Sequence, residues 1–294
     1  MTRYQELIQQ FRTELQCRKY ATTSINIYTS CLGIFLKAMN GKPKPLPFEE
    51  VKKFLAGIKN QNYHKQFTAT IRHFYRMVLK QPIQMDDIPF PRPTHYLPVV
   101  LSVQEVHRLI NATENLKHKA ILQTIYSCGL RISEPTKIIC TKGNCHLDTN
   151  RKLLLVKGAK GFKDRLVPIP DDTVELLRTY WQQYKPMRLL FEGQGRSTYS
   201  TRSIQQIFKR ALHKAGIYKR ATPHSLRHSR ATHLSDAGVD IYKIKDFLGH
   251  NNIKTTEGYL HLAKQSLVNH IANADAIIAR ALNNKELMLE IKLT

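Results

Sequence analysis

Thr222 to Tyr259 reads TPHSLRHSRATHLSDAGVDIYKIKDFLGHNNIKTTEGY, and its punctuation is that of two helices. Thr222 can cap a helix whose first turn tolerates Pro223, because the missing amide of proline would have no partner there anyway. Gly238 stops that helix, Asp240 can cap a second, and Gly249 ends the second just before His250. On the first helix His224 and Arg227 lie three apart and share a face, with His228 one residue round. Tyr259 follows His250 by nine positions. The stretch thus gathers a guanidinium, imidazoles and a phenol.

Upstream, Ser102 with Glu105 three residues on is a capping-box signature for a helix through about Asn111, and helical intervals continue from Ala120 to Tyr126. GLRISEP then sets Arg131 directly after a glycine and ahead of an expected helix, where a guanidinium can reach out of a turn. The pattern changes at Leu153 to Val156 and at Leu166, Val167 and Ile169, short apolar runs separated by GAKGFKD. A strand, a glycine-bearing turn and a second strand fit, with Lys157, Lys160 and Lys163 around the turn. Helices resume at Asp171 to Tyr184 and Thr201 to Ala215.

Four helical stripes occupy the amino-terminal part: Tyr4, Leu7, Ile8, Phe11 and Leu15; Ile27, Tyr28, Cys31, Leu32, Phe35 and Leu36; Val51, Phe54, Leu55 and Ile58; Phe67, Ile71, Phe74, Tyr75, Val78 and Leu79. The run DDIPFPRPTHYLP at residues 86–98 holds four prolines, each removing an amide donor and disfavouring helix in the residue before it. The expected organisation is an amino-terminal helical domain at residues 1–90, a proline-rich linker at 91–99 and a larger domain at 100–294. The expected fold class is mainly α, a helical bundle plus a mixed, mostly helical domain with a small antiparallel sheet. A further apolar stripe runs through Ile271, Ala274, Ile277, Ile278, Ala281 and Leu282.

Across 294 residues, 46 Lys plus Arg face 22 Asp plus Glu, a formal net charge of +24. That balance points to a polyanionic partner, nucleic acid first. The five cysteines form no CxxC pair and read as reduced thiols of a cytoplasmic protein. Neither a signal peptide nor an apolar run of about 18 residues is present, so secretion and membrane spanning are not expected.

Two arginines from distant parts of the chain can clamp the non-bridging oxygens of one phosphate, since the guanidinium fork matches phosphate geometry and stays charged. Imidazoles shuttle protons near neutral pH, a lysine can protonate a departing alkoxide, and a tyrosine can form a covalent phosphoryl intermediate. Taken singly, each has a plainer reading: Arg131 a surface charge, His224 a capping residue, His250 a turn residue, Tyr259 a core aromatic, and the lysines a tip that only holds DNA backbone. A metal site is not expected, because Ser225 stands where an HExxH helix would carry its glutamate and no CxxC supplies thiolates. No cofactor is implied.

Taken together, GLRISE, the hairpin KGAKGFKDRLVPIP, HSLRHSRATHL, FLGH and a tyrosine nine residues after that histidine resemble the tyrosine recombinases, the phage-integrase and Xer-like group that includes integron-integrase-like site-specific recombinases. The catalytic part of the resemblance spans about Leu101 to Lys264, and the preceding region is similar to that family's SAM-like core-binding domain. The resemblance implies that Arg131 and Arg227 clamp the scissile phosphate, with Glu134 supporting Arg131. It further implies Lys160 as general acid for the 5′-oxygen, Lys163 being the other claimant, and His224 as an aid to proton transfer. His250 would bond the phosphate, and Tyr259 would be the nucleophile that forms a 3′-phosphotyrosyl link. Lys157, Lys163, Arg165 and Arg230 are expected on DNA. Implied too are double-stranded recombination sites as substrate, a tetramer on two duplexes in which the stripe from Ile271 to Leu282 is either a helix passed to the neighbouring copy or one that packs on its own domain, independence of metal and ATP, and a role in integrating, excising or resolving DNA. Pro135 departs from the family pattern, which commonly has an aliphatic residue there. With the first stripe at Tyr4, a separate arm-site domain ahead of it is not expected. The rival readings are a type IB topoisomerase-like relaxation of the original strand and a non-catalytic DNA-binding regulator of the same fold.

Overall fold

A computed structural model describes residues 3–39, 48–81, 87–92, 98–141, 143–158, 164–250 and 256. Lys160, Lys163, Tyr259 and the stripe from Ile271 to Leu282 lie outside the described residues, as do residues 86 and 93–97 of the proline-rich run. The chain divides into two compact units, Met1–His95 and Tyr96–Thr294.

The first unit is helical: α1 (Arg3–Cys17), α2 (Thr22–Ala38), α3 (Phe48–Ala56) and α4 (Gln61–Met77). Asn60 starts α4 by accepting from the amides of Asn62 and Tyr63, two of the donors that a helix start leaves without internal partners. Helix α4 packs against the other three, and the core between them is aromatic. Phe11 meets Phe74 edge-on, and Phe54 sits between Phe35 and Phe67, an arrangement that aromatic quadrupoles favour. On α2 Cys31, Leu32, Phe35 and Leu36 of the expected stripe are buried together with Ile25 and Thr29, whereas Ile27 is 42% exposed. The expected stripe began one face too early, because at about 100° per residue position 27 stands opposite the row 25, 29, 32, 36.

The second unit contains α5 (Val103–Asn111), α6 (Leu116–Ser127), β1 (Cys140–Thr141), β2 (Asn144–Cys145), β3 (Leu147–Asp148), β4 (Leu153–Val156), β5 (Arg165–Pro168), α7 (Asp171–Tyr184), α8 (Thr201–Lys214), α9 (Pro223–Asp236) and α10 (Ile241–Leu248). The capping box at Ser102 and Glu105 forms as its spacing predicts. Helix α6 is the hub, packed against α5, α7, α8 and α9. Its buried residues, from Ala120 through Ile121, Leu122, Thr124 and Ile125 to Ser127, leave little polar face, which is the pattern of a helix enclosed on most sides. Around it close Leu101, Leu154, Val167, Phe191, Phe208 and Leu226.

Strands β3, β4 and β5 form an antiparallel meander in which Leu154 faces Val167 and Val156 faces Arg165. At the hairpin base the amide of Gly158 donates to the Asp164 carboxylate at 2.9 Å. The hairpin β1–β2 pairs Cys140 with Cys145 and was not legible, because two-residue strands carry no alternation to read. One expectation is corrected: the helix after Arg131 is a single 3₁₀ turn, Pro135–Lys137, and Ile138 is already extended. Its first residue is a proline, acceptable at a helix start, but the chain must straighten at once to enter β1.

Candidate active site

Four chain segments meet at the carboxy-terminal end of α10. Helix α6 ends at Cys128, and Gly129 then turns in the left-handed region at φ 56°. A β-carbon at Gly129 would stand 2.8 Å from the Phe247 ring and 2.9 Å from the Leu248 side chain. Both the dihedral and the close approach require glycine. The turn delivers Arg131, whose guanidinium donates to the Gly249 carbonyl (2.9 Å) and to Glu134 Oε1 (3.0 Å). Helix α9 supplies Arg227, only 2% exposed, donating to the carbonyls of Gly129 (2.6 Å) and Leu248 (2.7 Å). Strand β5 supplies Arg165, donating through Nε to the Phe247 carbonyl at 3.0 Å.

Three consecutive carbonyls, those of Phe247, Leu248 and Gly249, therefore each accept from a different arginine. They close α10, where the helix leaves carbonyls without internal partners and carries the negative end of its dipole. Gly249 is left-handed at φ 66°, and His250 follows immediately, with its Nδ1 2.9 Å from the hydroxyl of the buried Thr256.

Glu134 is the acid of this cluster. Its Oε2 also accepts from the Arg131 amide at 2.8 Å, and both oxygens receive the Arg165 fork at 2.9 and 2.8 Å. Burial opposes its ionisation, but the Arg165 guanidinium and the Arg131 amide outweigh it and hold the carboxyl below the usual range. Three arginines against one carboxylate leave the cluster positive, which suits an anion with its own negative charge and acceptor oxygens.

The imidazoles are kept neutral. Burial, then the charges of Arg227 and Arg131, push His250 down to about 3; burial, then His224 and Arg227, push His228 to about 4. His224 is exposed at the start of α9, its ring 5.9 Å from that of His228, and partial burial with Arg227 and Arg131 lowers it too. Between about pH 4 and the ordinary histidine value of 6.5, the unfolded chain thus binds protons that the fold refuses. Stability is full above that window and falls as pH drops through it. Glu134 adds its own loss only lower, below the ordinary glutamate value of 4.5. Urea unfolding of the DNA-free protein is expected to show declining stability from about pH 6.5 to 4.5, with a shallower decline in His250→Asn. An unchanged slope in that variant would assign the decline elsewhere.

The structure brings together Arg131, Glu134, Arg227 and His250 and sets His224 beside them. Lys157 is exposed at the end of β4. Two expected DNA contacts are placed differently. Arg165 points inward, its side chain 8% exposed and its fork committed to Glu134. Arg230 lies over the Tyr126 ring, 5.6 Å from its centroid, with Nε buried, where the aromatic face attracts its charge. Missed altogether were the three carbonyl acceptors and the Thr256 contact. Among the described residues no group of three His, Cys, Asp or Glu side chains could hold a metal, and no helix is long and apolar enough to cross a membrane.

Comparison with known proteins matches residues 99–266 to the phage integrase family. A putative integrase/recombinase, y4qK, of Sinorhizobium fredii is 31% identical over 264 residues, covering 87% of this chain and 84% of that protein. The tyrosine recombinase XerA of Thermococcus kodakarensis is 31% identical over 277 residues, covering 91% of this chain and 94% of its own length. In fold, the chain is similar to a lambda integrase tetramer bound to a Holliday junction, with a TM-score of 0.70 at 16% identity, covering 87% of this chain and 76% of that one.

Proposed function

This chain belongs to the phage integrase family, and we propose how its residues, as those of such an enzyme, break and rejoin DNA. The activity is that of a tyrosine site-specific recombinase. The observation that carries the reading is the convergence of the part-exposed Arg131 and the buried Arg227 on the end of α10, beside His250 and with Glu134 as the paired carboxylate.

In the proposed reaction Arg131 and Arg227 bind the non-bridging oxygens of the scissile phosphate, where charge grows as a fifth oxygen approaches. Tyr259 Oη attacks phosphorus, the P–O5′ bond breaks, and the departing oxygen takes a proton from Lys160, with Lys163 as the alternative donor. The tyrosine proton leaves with the help of His224. His250, neutral at pH 7, offers a hydrogen bond to the phosphate without adding charge. The product is a 3′-phosphotyrosyl link and a free 5′-hydroxyl. Attack by the 5′-hydroxyl of a partner strand reverses the chemistry, so the phosphoryl bond is conserved and neither ATP nor metal is consumed.

The amino-terminal unit, which carries α1 to α4, serves as a core-binding DNA domain joined to the catalytic unit by the proline-rich run. Lys157 contributes to backbone binding. The assembly is a tetramer on two duplexes, as lambda integrase is a tetramer on its Holliday junction. The setting is cytoplasmic.

A joining assay tests the activity. A duplex pool selected by the intact chain from randomised DNA supplies two differently labelled target duplexes. Exchange of label between them, without ATP or divalent metal, is the expected result. Relaxation of supercoiled target without exchange would indicate the topoisomerase-like reading, and binding without any strand breakage the regulator.

A further inference from the structure

Arg165 has the chemistry of a DNA contact and the surroundings of something else. Each of its three guanidinium nitrogens is engaged: Nε on the Phe247 carbonyl, Nη1 and Nη2 on the two oxygens of Glu134. Its side chain and that of Glu134 are 8% and 9% exposed, so the pair is enclosed and little screened by solvent. Room for it is built in. A β-carbon at Gly249 would stand 2.9 Å from Arg165 Cδ and 3.3 Å from Nη1, so the glycine that ends α10 also lets this arginine pass across the turn.

We propose that Arg165 is a positioning residue: by occupying both oxygens of Glu134 and holding the end of α10, it keeps that carboxylate from forking onto Arg131 and leaves the Arg131 guanidinium aimed at the scissile phosphate. The inference rests on the recombinase reading, since the phosphate concerned is that of the DNA strand.

Glu134 couples the two arginines by charge. A carboxylate facing one guanidinium forms a two-bond fork that neutralises it. Here Arg165 takes that fork, and the Arg131 guanidinium reaches Glu134 Oε1 through Nη1 while its Nη2 bonds Gly249. Without Arg165, Glu134 is free to close on Arg131 and cancel the charge that the phosphate needs. The backbone adds a geometric constraint. Arg165 lies opposite Val156 at the end of the β4–β5 pairing, next to the Asp164 that closes the hairpin base. One side chain thus ties the lysine-bearing hairpin to the turn that carries His250. Lysine cannot replace it fully, because a point charge supplies no bidentate fork.

The test uses the full chain and a nicked duplex from the same selected pool, on which cleavage traps the covalent adduct in a single turnover. Wild type, Arg165→Lys, Arg165→Leu, Glu134→Gln and the double variant Arg165→Leu/Glu134→Gln are compared for adduct rate, DNA affinity and unfolding midpoint. Arg165→Leu is expected to form adduct about 100-fold more slowly with DNA affinity within about threefold, since misplacement of a reacting group is costly to rate without being costly to binding. Arg165→Lys should fall between. Adding Glu134→Gln should speed Arg165→Leu by about tenfold, because the neutral amide no longer cancels Arg131. A merely structural role would make the double variant worse, and that outcome overturns the proposal. So does a wild-type rate in Arg165→Leu, or a loss of affinity that matches the loss of rate, which would make Arg165 a DNA contact. If Arg165→Leu does not fold, Arg165→Lys decides: slower cleavage with retained binding supports the role, and unchanged cleavage removes it. Absence of adduct with the wild-type chain would instead count against the recombinase reading itself.

Discussion

Tyr259→Phe is expected to bind target DNA with wild-type affinity and to form no covalent adduct. The substitution keeps the ring and removes one oxygen, so whatever packing or stacking the aromatic provides survives, while the proposed nucleophile does not. A phenol with a reference pKa of about 10 is a weak nucleophile near neutral pH; it becomes useful only where the phosphate is already electron-poor and the leaving oxygen is protonated. Arg131 and Arg227 supply the first condition in the proposed mechanism, and a hairpin lysine the second. The substitution removes the one oxygen that the proposed mechanism uses as nucleophile, so the expected loss is complete within detection, not a partial decrease. The check is a denaturing gel of labelled nicked duplex after incubation with each protein, beside a binding titration at the same salt concentration, because affinity for DNA depends steeply on salt. Persistence of a covalent species in the Phe variant would remove Tyr259 from its role and reopen the choice of nucleophile. Loss of both adduct and binding would show that the hydroxyl serves recognition.

Some of this site was legible in the sequence and some was not, and the division follows the physics of each signal. Thr222 with Pro223, Asp240, and Gly249 are local punctuation, acting through dihedrals and capping bonds within a few residues, and α9 and α10 form where those marks place them. The face shared by His224 and Arg227 follows from helix periodicity alone. Arg165 was misplaced for the opposite reason. Beside a lysine-rich turn it looks like one more cation for DNA, and the carboxylate that draws it inward is 31 positions away, on a turn whose direction depends on Gly129. The Phe247, Leu248 and Gly249 carbonyls were invisible in principle, since every residue has one and only the fold selects which face an arginine. Pro135 was noticed as a departure, but its effect, one 3₁₀ turn in place of a helix, depends on how soon the chain must enter β1. Gly249 carried a second message beyond helix termination, the passage of Arg165, which only the folded neighbour reveals.

Arg227→Ala is expected to lower the adduct rate by at least about 10²- to 10³-fold, the usual consequence of removing one preorganised group that stabilises transition-state charge. Two costs must be separated. Arg227 is buried, and alanine leaves the carbonyls of Gly129 and Leu248 without the donors they now have. Each such buried acceptor costs about 1–3 kcal/mol, so the unfolding midpoint should fall as well. DNA affinity should change far less, because binding is summed over many phosphate contacts of a chain with net charge +24, and loss of one cation reduces the salt slope by about one unit. Arg227→Lys separates the costs further, since it keeps the charge while giving up the planar fork. Its adduct rate should stay well below wild type, because a single ammonium cannot hold two carbonyls and also grip two phosphate oxygens. The measurements are single-turnover adduct formation, binding at several salt concentrations and chemical unfolding, all on the same preparations. A rate unchanged in Arg227→Ala would dismiss the clamp. A rate that falls only in proportion to the folded fraction would reduce Arg227 to a bolt holding α6 and α10 together, and leave Arg131 to hold the phosphate alone.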